Sequence, residues 1–288
     1  MMWEKKKAPV YHKKFSKMKQ LQVLTLRYFE LIKNDWQRLA LLALQPLLIG
    51  LLLMVVAGED VFDIFEDTKS ILFALTCSGI WIGLFNTIQE ICKERVVLKR
   101  EYMSNLNLGI YVLSKYIVQG VICILQSVIL LGCFTITVGM PRQGIIWDEP
   151  VIELFITVFL TIYASSALGL IVSALSKNAD RAMAVAPFLL IIQLLFSGIL
   201  FELEGFTDFI SKFTISRWSI ECLGSVADLN ILTMRIQKEI PQVEHEANEM
   251  FEFATSHLIG NWSILIVFIV LFAVVSGFVL RGLSNEQR

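Results

Sequence analysis

Residues 36–57 have the sequence WQRLALLALQPLLIGLLLMVVA, an apolar run whose only charged residue, Arg38, lies near its start. A helix of about 20 such residues crosses the roughly 30 Å hydrocarbon core of a bilayer. Within hydrocarbon, backbone amides are satisfied only in helices or in closed barrels. The run lacks the alternation of a barrel strand, so we predict a transmembrane helix over 36–57.

Five further apolar runs of similar length follow this one. Of the 288 residues, 56% are hydrophobic and 18% are charged, whereas an average soluble domain is about 45–50% apolar and 25% charged. The predicted spans are 36–57, 70–89, 111–138, 151–175, 182–201 and 258–280. A soluble core could not bury six such runs. We therefore predict an all-α, polytopic membrane protein with six transmembrane helices.

Lys and Arg are distributed unevenly between the predicted connections. Residues 1–38 hold ten Lys or Arg against three Asp or Glu, whereas residues 202–256 hold four against ten. The basic segments are 1–38, 93–100, 177–181 and 281–288, and they alternate with acidic ones. Because Lys and Arg mark the cytoplasmic side, we expect a multi-pass protein of the plasma membrane with both termini in the cytoplasm.

The chain is predicted to divide at the first span. Residues 1–35 form a basic cytoplasmic tail and an amphipathic helix, and residues 36–288 form the six-helix domain, with an outer loop over 202–257. The apolar residues that share one face of the helix over 17–34 are Met18, Leu21, Leu24, Tyr28 and Leu31. This pattern is typical of a helix in the membrane interface, and a helix packed on a soluble partner is the alternative.

The motifs of the common catalytic and nucleotide-binding sites are missing. The sequence has no GxxxxGK[ST], so the chain is not expected to bind ATP through such a loop. It has no GxSxG, HExxH or GxGxxG, and its three histidines are scattered, so no catalytic or metal site is predicted. The predicted spans hold almost no ionisable side chains, which argues against an ion-coupled carrier.

The predicted spans do contain a few polar residues, which are Gln45, Asn86, Gln126 and Gln193. Such residues commonly form hydrogen bonds between helices in membranes. For Asn86 and Gln193, a position on a transport pathway is the alternative.

Residues 89–102, QEICKERVVLKREY, form a charged, helix-prone segment at the predicted cytoplasmic end of the second span. On a helix, Glu90, Glu94 and Glu101 lie on one side, and Lys93 and Arg100 share another. A helix with dense charges of both signs suits docking to a mobile soluble partner. A solvated helix beside the membrane explains the pattern equally well.

Several motifs occur in a fixed order along the chain. The first half contains Glu94-Arg95, Arg100-Glu101-Tyr102 and Tyr111-Val-Leu-Ser-Lys115, and the second half contains Pro187, Phe196-Ser-Gly-Ile-Leu200 and Ser216-Arg-Trp-Ser-Ile-Glu-Cys-Leu223. This ordered set resembles the membrane domain of type-2 ABC exporters, most closely the G-subfamily (the White family). The resemblance extends over about residues 21–288.

The resemblance implies a permease subunit of an exporter. ATP and Mg²⁺ would be bound by a partner ABC ATPase subunit, and a second permease chain would complete a homodimer or heterodimer. The helix over 17–34 would contact the ATPase, 90–103 would be the coupling helix, and 176–181 would be a second contact. The implied coupling residues are Glu90, Lys93, Glu94, Arg95, Arg100 and Glu101.

The resemblance also implies an outer re-entrant helix over 206–214 and a central cavity lined by the second and fifth spans. The candidate cavity residues are Gly79, Ile82, Phe85, Asn86, Pro187, Leu190 and Ile191. Ile199 and Leu200 would form an apolar plug below the exit. Because this set is mostly small or aliphatic, we expect a lipidic or amphipathic cargo. Membrane lipids are expected partners and nucleic acid is not.

Two other functions remain open at this point. A channel or ion-coupled carrier would act without an ATPase, and flux without nucleotide would reveal it. A membrane anchor or sensor subunit would move nothing, and the ATP turnover of its complex would ignore every candidate cargo.

Overall fold

The described residues are mostly helical. The computed structural model describes residues 16–58, 61–103, 106–201, 203–239 and 248–285. Its helices are α1 Lys17–Lys33, α2 Trp36–Val56, α3 Phe65–Thr87, α4 Glu90–Lys93, α5 Arg95–Met103, α6 Leu108–Thr137, α7 Pro150–Leu175, α8 Ala179–Leu195, α9 Phe206–Ser211, α10 Ile215–Val226, α11 Leu229–Glu239 and α12 Thr255–Asn285. The predicted basic tail falls on residues 1–15, outside the described residues.

Five segments are long and apolar enough to cross a membrane. They are Trp36–Val56, Phe65–Lys93, Leu108–Ile136, Pro150–Leu175 and Thr255–Gly282. They coincide with five of the six predicted spans, which confirms an all-α protein with several membrane-spanning helices.

The predicted fifth span, 182–201, differs from the others in length. Helix α8 has 17 residues and therefore extends about 25 Å, less than the roughly 30 Å of a hydrocarbon core. It ends before Phe196, and Gly198 follows with a φ of +80°, which glycine adopts without a steric penalty. Residues 196–201 thus form a turn instead of continuing the predicted span.

Helices α3 and α7 form the centre of the bundle. In the most apolar 18-residue stretch of each spanning segment, 61% of the residues are buried. Gly83 allows their close approach, because a Cβ at this position would lie 2.2 Å from the carbonyl oxygen of Ile162. The Ser165 hydroxyl donates a 2.6 Å hydrogen bond to a carbonyl of α3, and the Thr87 hydroxyl donates one of 2.7 Å to a carbonyl of α7. Small and hydroxylated residues are typical of such contacts in membranes.

Helices α2 and α12 lie at the periphery, because only 17% and 22% of the residues in their most apolar 18-residue stretches are buried. Both therefore expose long apolar faces. Helix α1 packs against α6 through Tyr28 and Ile32, which form a small apolar cluster with Val118 and Ile122. The predicted helix over 17–34 is thus present, and its place in the membrane interface stays a prediction.

The predicted outer loop, 202–257, is largely helical where it is described. Helix α9 falls within the predicted re-entrant helix, whose membrane position stays a prediction. The structure differs from a loop most clearly at α10, which packs against α3, α7 and α12. Its buried apolar residues include Ile215, Ile220, Leu223 and Val226. Their spacing is helical, but the polar residues between them give the segment the composition of a loop.

Candidate functional site

A group of ionisable side chains lies largely buried where α4 and Glu94 contact α1, α2 and α6, and within it the side chains of Arg38 and Glu94 are 26% and 23% exposed. We call it the buried charge cluster, and its members are Tyr28, Arg38, Glu90, Glu94, Tyr111 and Lys115. It contains two carboxylates and two cations, so its charges balance. Buried charges are tolerated when they are paired and hydrogen-bonded, and each of these four has a partner.

Glu90 is at the centre of this cluster and is only 9% exposed. Its Oε1 lies 2.7 Å from Nη2 of Arg38 at the start of α2. Its Oε2 accepts a 2.5 Å hydrogen bond from the hydroxyl of Tyr28 on α1, and Nζ of Lys115 lies 3.9 Å away. Glu90 therefore joins α4 to three other helices.

Glu94, which follows α4 directly, binds two residues of α6. Nζ of Lys115 lies 2.8 Å from its Oε1, and the Tyr111 hydroxyl donates a 2.8 Å hydrogen bond to its Oε2. Nζ of Lys115 also lies 3.6 Å from the centre of the Tyr28 ring, within cation–π range. Lys115 thus contacts both carboxylates and an aromatic face.

Tyr28 is protonated throughout the physiological pH range. Burial raises the pKa of its phenol well above the ordinary range, and the carboxylate of Glu90 raises that pKa further. The phenol therefore remains a hydrogen-bond donor to Glu90.

Further contacts connect α4 and α5 to the rest of the chain. The Ser173 hydroxyl on α7 accepts hydrogen bonds from the backbone N–H groups of Ile91 and Cys92, at 2.9 and 3.1 Å. Nη1 of Arg95 donates a 2.5 Å hydrogen bond to the carbonyl oxygen of Ser176 at the end of α7. Arg27 on α1 pairs with Glu101 on α5.

The six predicted coupling residues therefore have different environments. Glu90 and Glu94 face the interior of the chain, and Arg95 and Glu101 bind α7 and α1. Lys93 and Arg100 are exposed on α4 and α5. Glu90 and Glu94 thus connect the segment to α1, α2 and α6, while Lys93 and Arg100 lie on its surface.

Sequence reasoning predicted a site role for Glu90 and Glu94 but for none of their four partners, Tyr28, Arg38, Tyr111 and Lys115. Arg38 is the only charge of the first apolar run, and Lys115 ends one of the motifs that resemble the exporter family. Their positions could have revealed these two cations. Each lies within about one or two helical turns of the cytoplasmic end of a predicted span, where a carboxylate from a neighbouring charged segment can reach the cation.

The predicted cavity residues of α3 do not all face the same way. Ile82 is 0% exposed, and a Cβ on Gly79 would lie 3.3 Å from Cγ2 of Thr161 on α7. Both positions are therefore inside the bundle, where Gly79 packs against α7, and neither lines an open surface. Phe85 stacks on the half-exposed Trp81 with ring centres 4.7 Å apart.

Asn86 binds within the chain. Its Nδ2 donates a 2.5 Å hydrogen bond to Oε1 of Gln126 on α6, whose Nε2 donates 3.0 Å to the carbonyl oxygen of Leu42 on α2. This chain of hydrogen bonds connects α3, α6 and α2. It agrees with the simpler of the two sequence interpretations, polar contacts between helices.

The predicted cavity residues of α8 lie mostly on its open face. Pro187 and Ile191 are exposed, and Leu190 is buried. Of the predicted cavity residues, Pro187 and Ile191 on α8 are thus exposed, while Phe85 and Asn86 on α3 are partly buried.

The predicted plug residues follow α8 in a turn that α10 holds in place. Ile199 is partly buried and Leu200 is half exposed. Oε1 of Gln193 accepts a 3.0 Å hydrogen bond from the backbone N–H of Ser216, whose hydroxyl donates 2.5 Å back to the Gln193 carbonyl. Gln193, the fourth polar residue of the predicted spans, is therefore also a helix contact.

A second charged group lies near this turn and was not predicted. Nε of Arg217 lies 2.6 Å from Oε1 of Glu221, and its Nη2 lies 3.7 Å from Oδ1 of Asp208 on α9. Nε2 of His257 on α12 lies 4.0 Å from Oε2 of Glu221. Burial raises the pKa of Glu221, and Arg217 offsets part of this rise. This group joins α9, α10 and α12.

The described residues do not bring together three His, Cys, Asp or Glu side chains as a metal site would require. The five cysteines are free thiols. Neither a metal centre nor a disulfide thus contributes to the contacts described above.

Comparison with known proteins gives two matches. The model of the ABC-2 type transporter family matches residues 19–226. Over 224 residues, the chain is 30% identical to the ABC transporter ATP-binding/permease protein Rv1747 of Mycobacterium tuberculosis. This match includes 74% of the chain and 26% of that relative, so the chain spans about a quarter of its length.

The family match includes α1, the buried charge cluster and the helices through α10. A helical bundle with several membrane-spanning segments is the architecture that a transporter membrane domain requires. The chain belongs to the ABC-2 type transporter family and contains the membrane-spanning domain of that family.

Proposed function

We propose that this chain is the permease subunit of an ATP-binding-cassette exporter that moves a lipidic or amphipathic substrate with ATP hydrolysed on a partner subunit. The observation that supports this most is the buried charge cluster, in which Glu90 and Glu94 tie α4 to α1, α2 and α6. A displacement of α4 is thereby transmitted to two apolar helices. The mycobacterial relative is named an ATP-binding/permease protein, and the present chain matches about a quarter of it.

The proposed ATPase contacts α4 and α5 from the cytoplasmic side. Lys93 and Arg100 provide exposed cations there, and the Arg95 bond to Ser176 connects the same segment to the end of α7. Closure of two ATPase subunits around ATP and Mg²⁺ pushes on this segment. Because Glu90 and Glu94 are anchored internally, the push tilts the helices rather than bending α4 alone.

The proposed cargo route lies between two copies of this domain. The open faces of α3 and α8 that would line it carry the stacked Trp81 and Phe85 and the exposed Pro187 and Ile191, which suits apolar cargo. Leu200, which follows α8, would form the apolar plug that closes the exit. In this proposal α8 and the turn over residues 196–201 together make a sixth crossing, so that both termini lie in the cytoplasm and the protein resides in the plasma membrane.

Reconstitution tests this function. The chain is purified with and without its candidate ATPase, placed in liposomes, and supplied with fluorescent phospholipids or amphipathic dyes. We expect flux only when the ATPase and hydrolysable ATP are both present, and we expect cargo to stimulate ATP turnover. Flux from the chain alone without nucleotide would favour a channel or carrier, and turnover indifferent to all cargo would favour a sensor.

A further inference from the structure

An apolar groove lies on the outside of the bundle, between α1, α2 and α6. Its volume is about 360 Å³, and all of its lining residues are apolar except Lys33 and Gln126. The amide of Gln126 is already bound to Leu42 and Asn86. Lys33 therefore provides the only charge along the groove.

The walls of the groove carry large side chains that no described part of the chain covers. Phe29 is 49% exposed, Val121 is 47% exposed and Leu125 is 59% exposed. Both α1 and α2 rest on α6 and have much less contact with each other, which leaves the space between them. Beside a membrane span, the surrounding solvent is hydrocarbon, so an acyl chain is the chemistry that fits these walls.

The length of the groove fits a lipid of one leaflet. On α6 its lining extends from Val118 to Ile129, a rise of about 17 Å. Half of a typical hydrocarbon core is about 15 Å. The groove thus has the depth that one acyl chain occupies between the headgroup level and the bilayer midplane.

The charge at one end of the groove selects the headgroup. Lys33 is exposed in the last turn of α1, and no ion pair involving it is found among the described residues. It belongs to the segment 1–38 with ten Lys or Arg against three Asp or Glu. Basic segments beside a membrane span attract anionic lipids, so charge complementarity favours a lipid phosphate next to Lys33.

We propose that this groove binds one anionic phospholipid, with an acyl chain against α1, α2 and α6 and its phosphate beside Lys33. This lipid is a resident component and lies apart from the open α3 and α8 face. Because α1 also carries Tyr28, the lipid supports the helix that contacts Glu90. The proposal does not depend on the cargo or on the partner ATPase.

Native mass spectrometry of the purified full-length chain tests this proposal by titration with phosphatidylglycerol and, separately, phosphatidylcholine. Ala43 is exposed and lines the groove, so Ala43→Trp fills the space without disturbing a buried position. We expect this variant to weaken the binding of the first lipid at least tenfold. We expect Lys33→Gln to weaken phosphatidylglycerol about fivefold and to leave phosphatidylcholine unchanged.

Two matched controls separate the groove from the general surface. Leu44→Trp adds the same side chain at an exposed position of α2 outside the groove, and Lys19→Gln removes a cation of α1 that does not line it. Both should bind lipid like the unchanged protein. Equal lipid binding by Ala43→Trp and Leu44→Trp would overturn the proposal. So would a change from dimer to monomer in Ala43→Trp with lipid binding unchanged, since a second copy would then occupy the groove.

Discussion

Nζ of Lys115 lies 2.8 Å from Oε1 of Glu94, and only 2% of the Lys115 side chain is exposed. The lysine projects from an apolar helix, and the carboxylates that pair with its charge are Glu90 and Glu94, from the segment between α3 and α6. This pair thereby makes the stability of α6 and the position of α4 depend on each other.

Replacing Lys115 by methionine should destabilise the protein strongly. It leaves two carboxylates in the buried charge cluster with Arg38 as their only cation, and removing one partner of a buried pair costs about 3–5 kcal/mol. We expect a clear drop in Tm, measured by thermal unfolding in detergent. Lys99→Met, at an exposed position of α5, should change Tm little. Adding Glu94→Gln to Lys115→Met should recover part of the loss, and additive losses would argue against the pair.

Glu94→Ala and Arg95→Ala should lower the amount of cargo moved per ATP hydrolysed. The first substitution removes the contacts to α6, and the second removes the 2.5 Å hydrogen bond to the Ser176 carbonyl. Because neither residue belongs to a nucleotide site, ATP turnover should persist while flux falls. Parallel assays of turnover and flux in liposomes measure the ratio, with Lys99→Ala as the control. Unchanged ratios in both variants would contradict force transmission through this segment.

Gly83→Ala should destabilise the centre of the bundle by about 1–3 kcal/mol, the usual cost of overpacking. The added Cβ would meet the Ile162 carbonyl oxygen at 2.2 Å, and a backbone atom cannot rotate away. Gly132→Ala on α6 is the matched control, because nothing lies within 4 Å of a Cβ there. That control should be neutral or slightly stabilising, since alanine is the better helix former. Similar Tm values for both variants would be inconsistent with the close approach of α3 and α7.

Glu221 should contribute a pH dependence to stability. Burial raises the pKa of its carboxyl, so the folded state holds this proton more tightly than the unfolded state. Its contribution is therefore complete below the ordinary glutamate pKa of about 4.3 and is lost as pH rises through the folded-state value. The groups that face it are Arg217, His257 and Asn261, with Asp208 on the far side of Arg217.

Glu221→Gln removes this titration with little change of shape. We expect the Tm of the unchanged protein to fall more steeply than that of the variant as pH rises above about 4.3. Thermal scans at matched ionic strength measure both slopes. Identical slopes would show that Glu221 titrates in the folded state as it does in the unfolded chain.

The spans could be predicted because the membrane imposes a length and a composition that are visible in the sequence. The runs over α2 and α12 need no knowledge of neighbouring helices. The end of α8 could not be predicted in the same way, because Phe196 and Leu200 are as apolar as the helix before them. The turn depends on Gly198 and on the Gln193–Ser216 contact, which joins residues from two helices.

The candidate site could be predicted in part. The spacing of Glu90 and Glu94 indicates a shared face, but their partners come from α1, α2 and α6. Likewise, the apolar character of Ile82 does not reveal whether it faces a cavity or α7. The neighbouring helices decide which side of a helix is buried. For α3, that side packs against small residues of α7.

The close contact at Gly83 also determines where this molecule can bend. Interlocked backbones joined by hydroxyl bridges cannot slide past one another without breaking several bonds together, so α3 and α7 must swing as one rigid body. The Ser173 hydroxyl binds α4 to the same body, and Arg95 binds its far end at Ser176. A force applied to the charged segment over 89–102 therefore reaches α3 and α7 together.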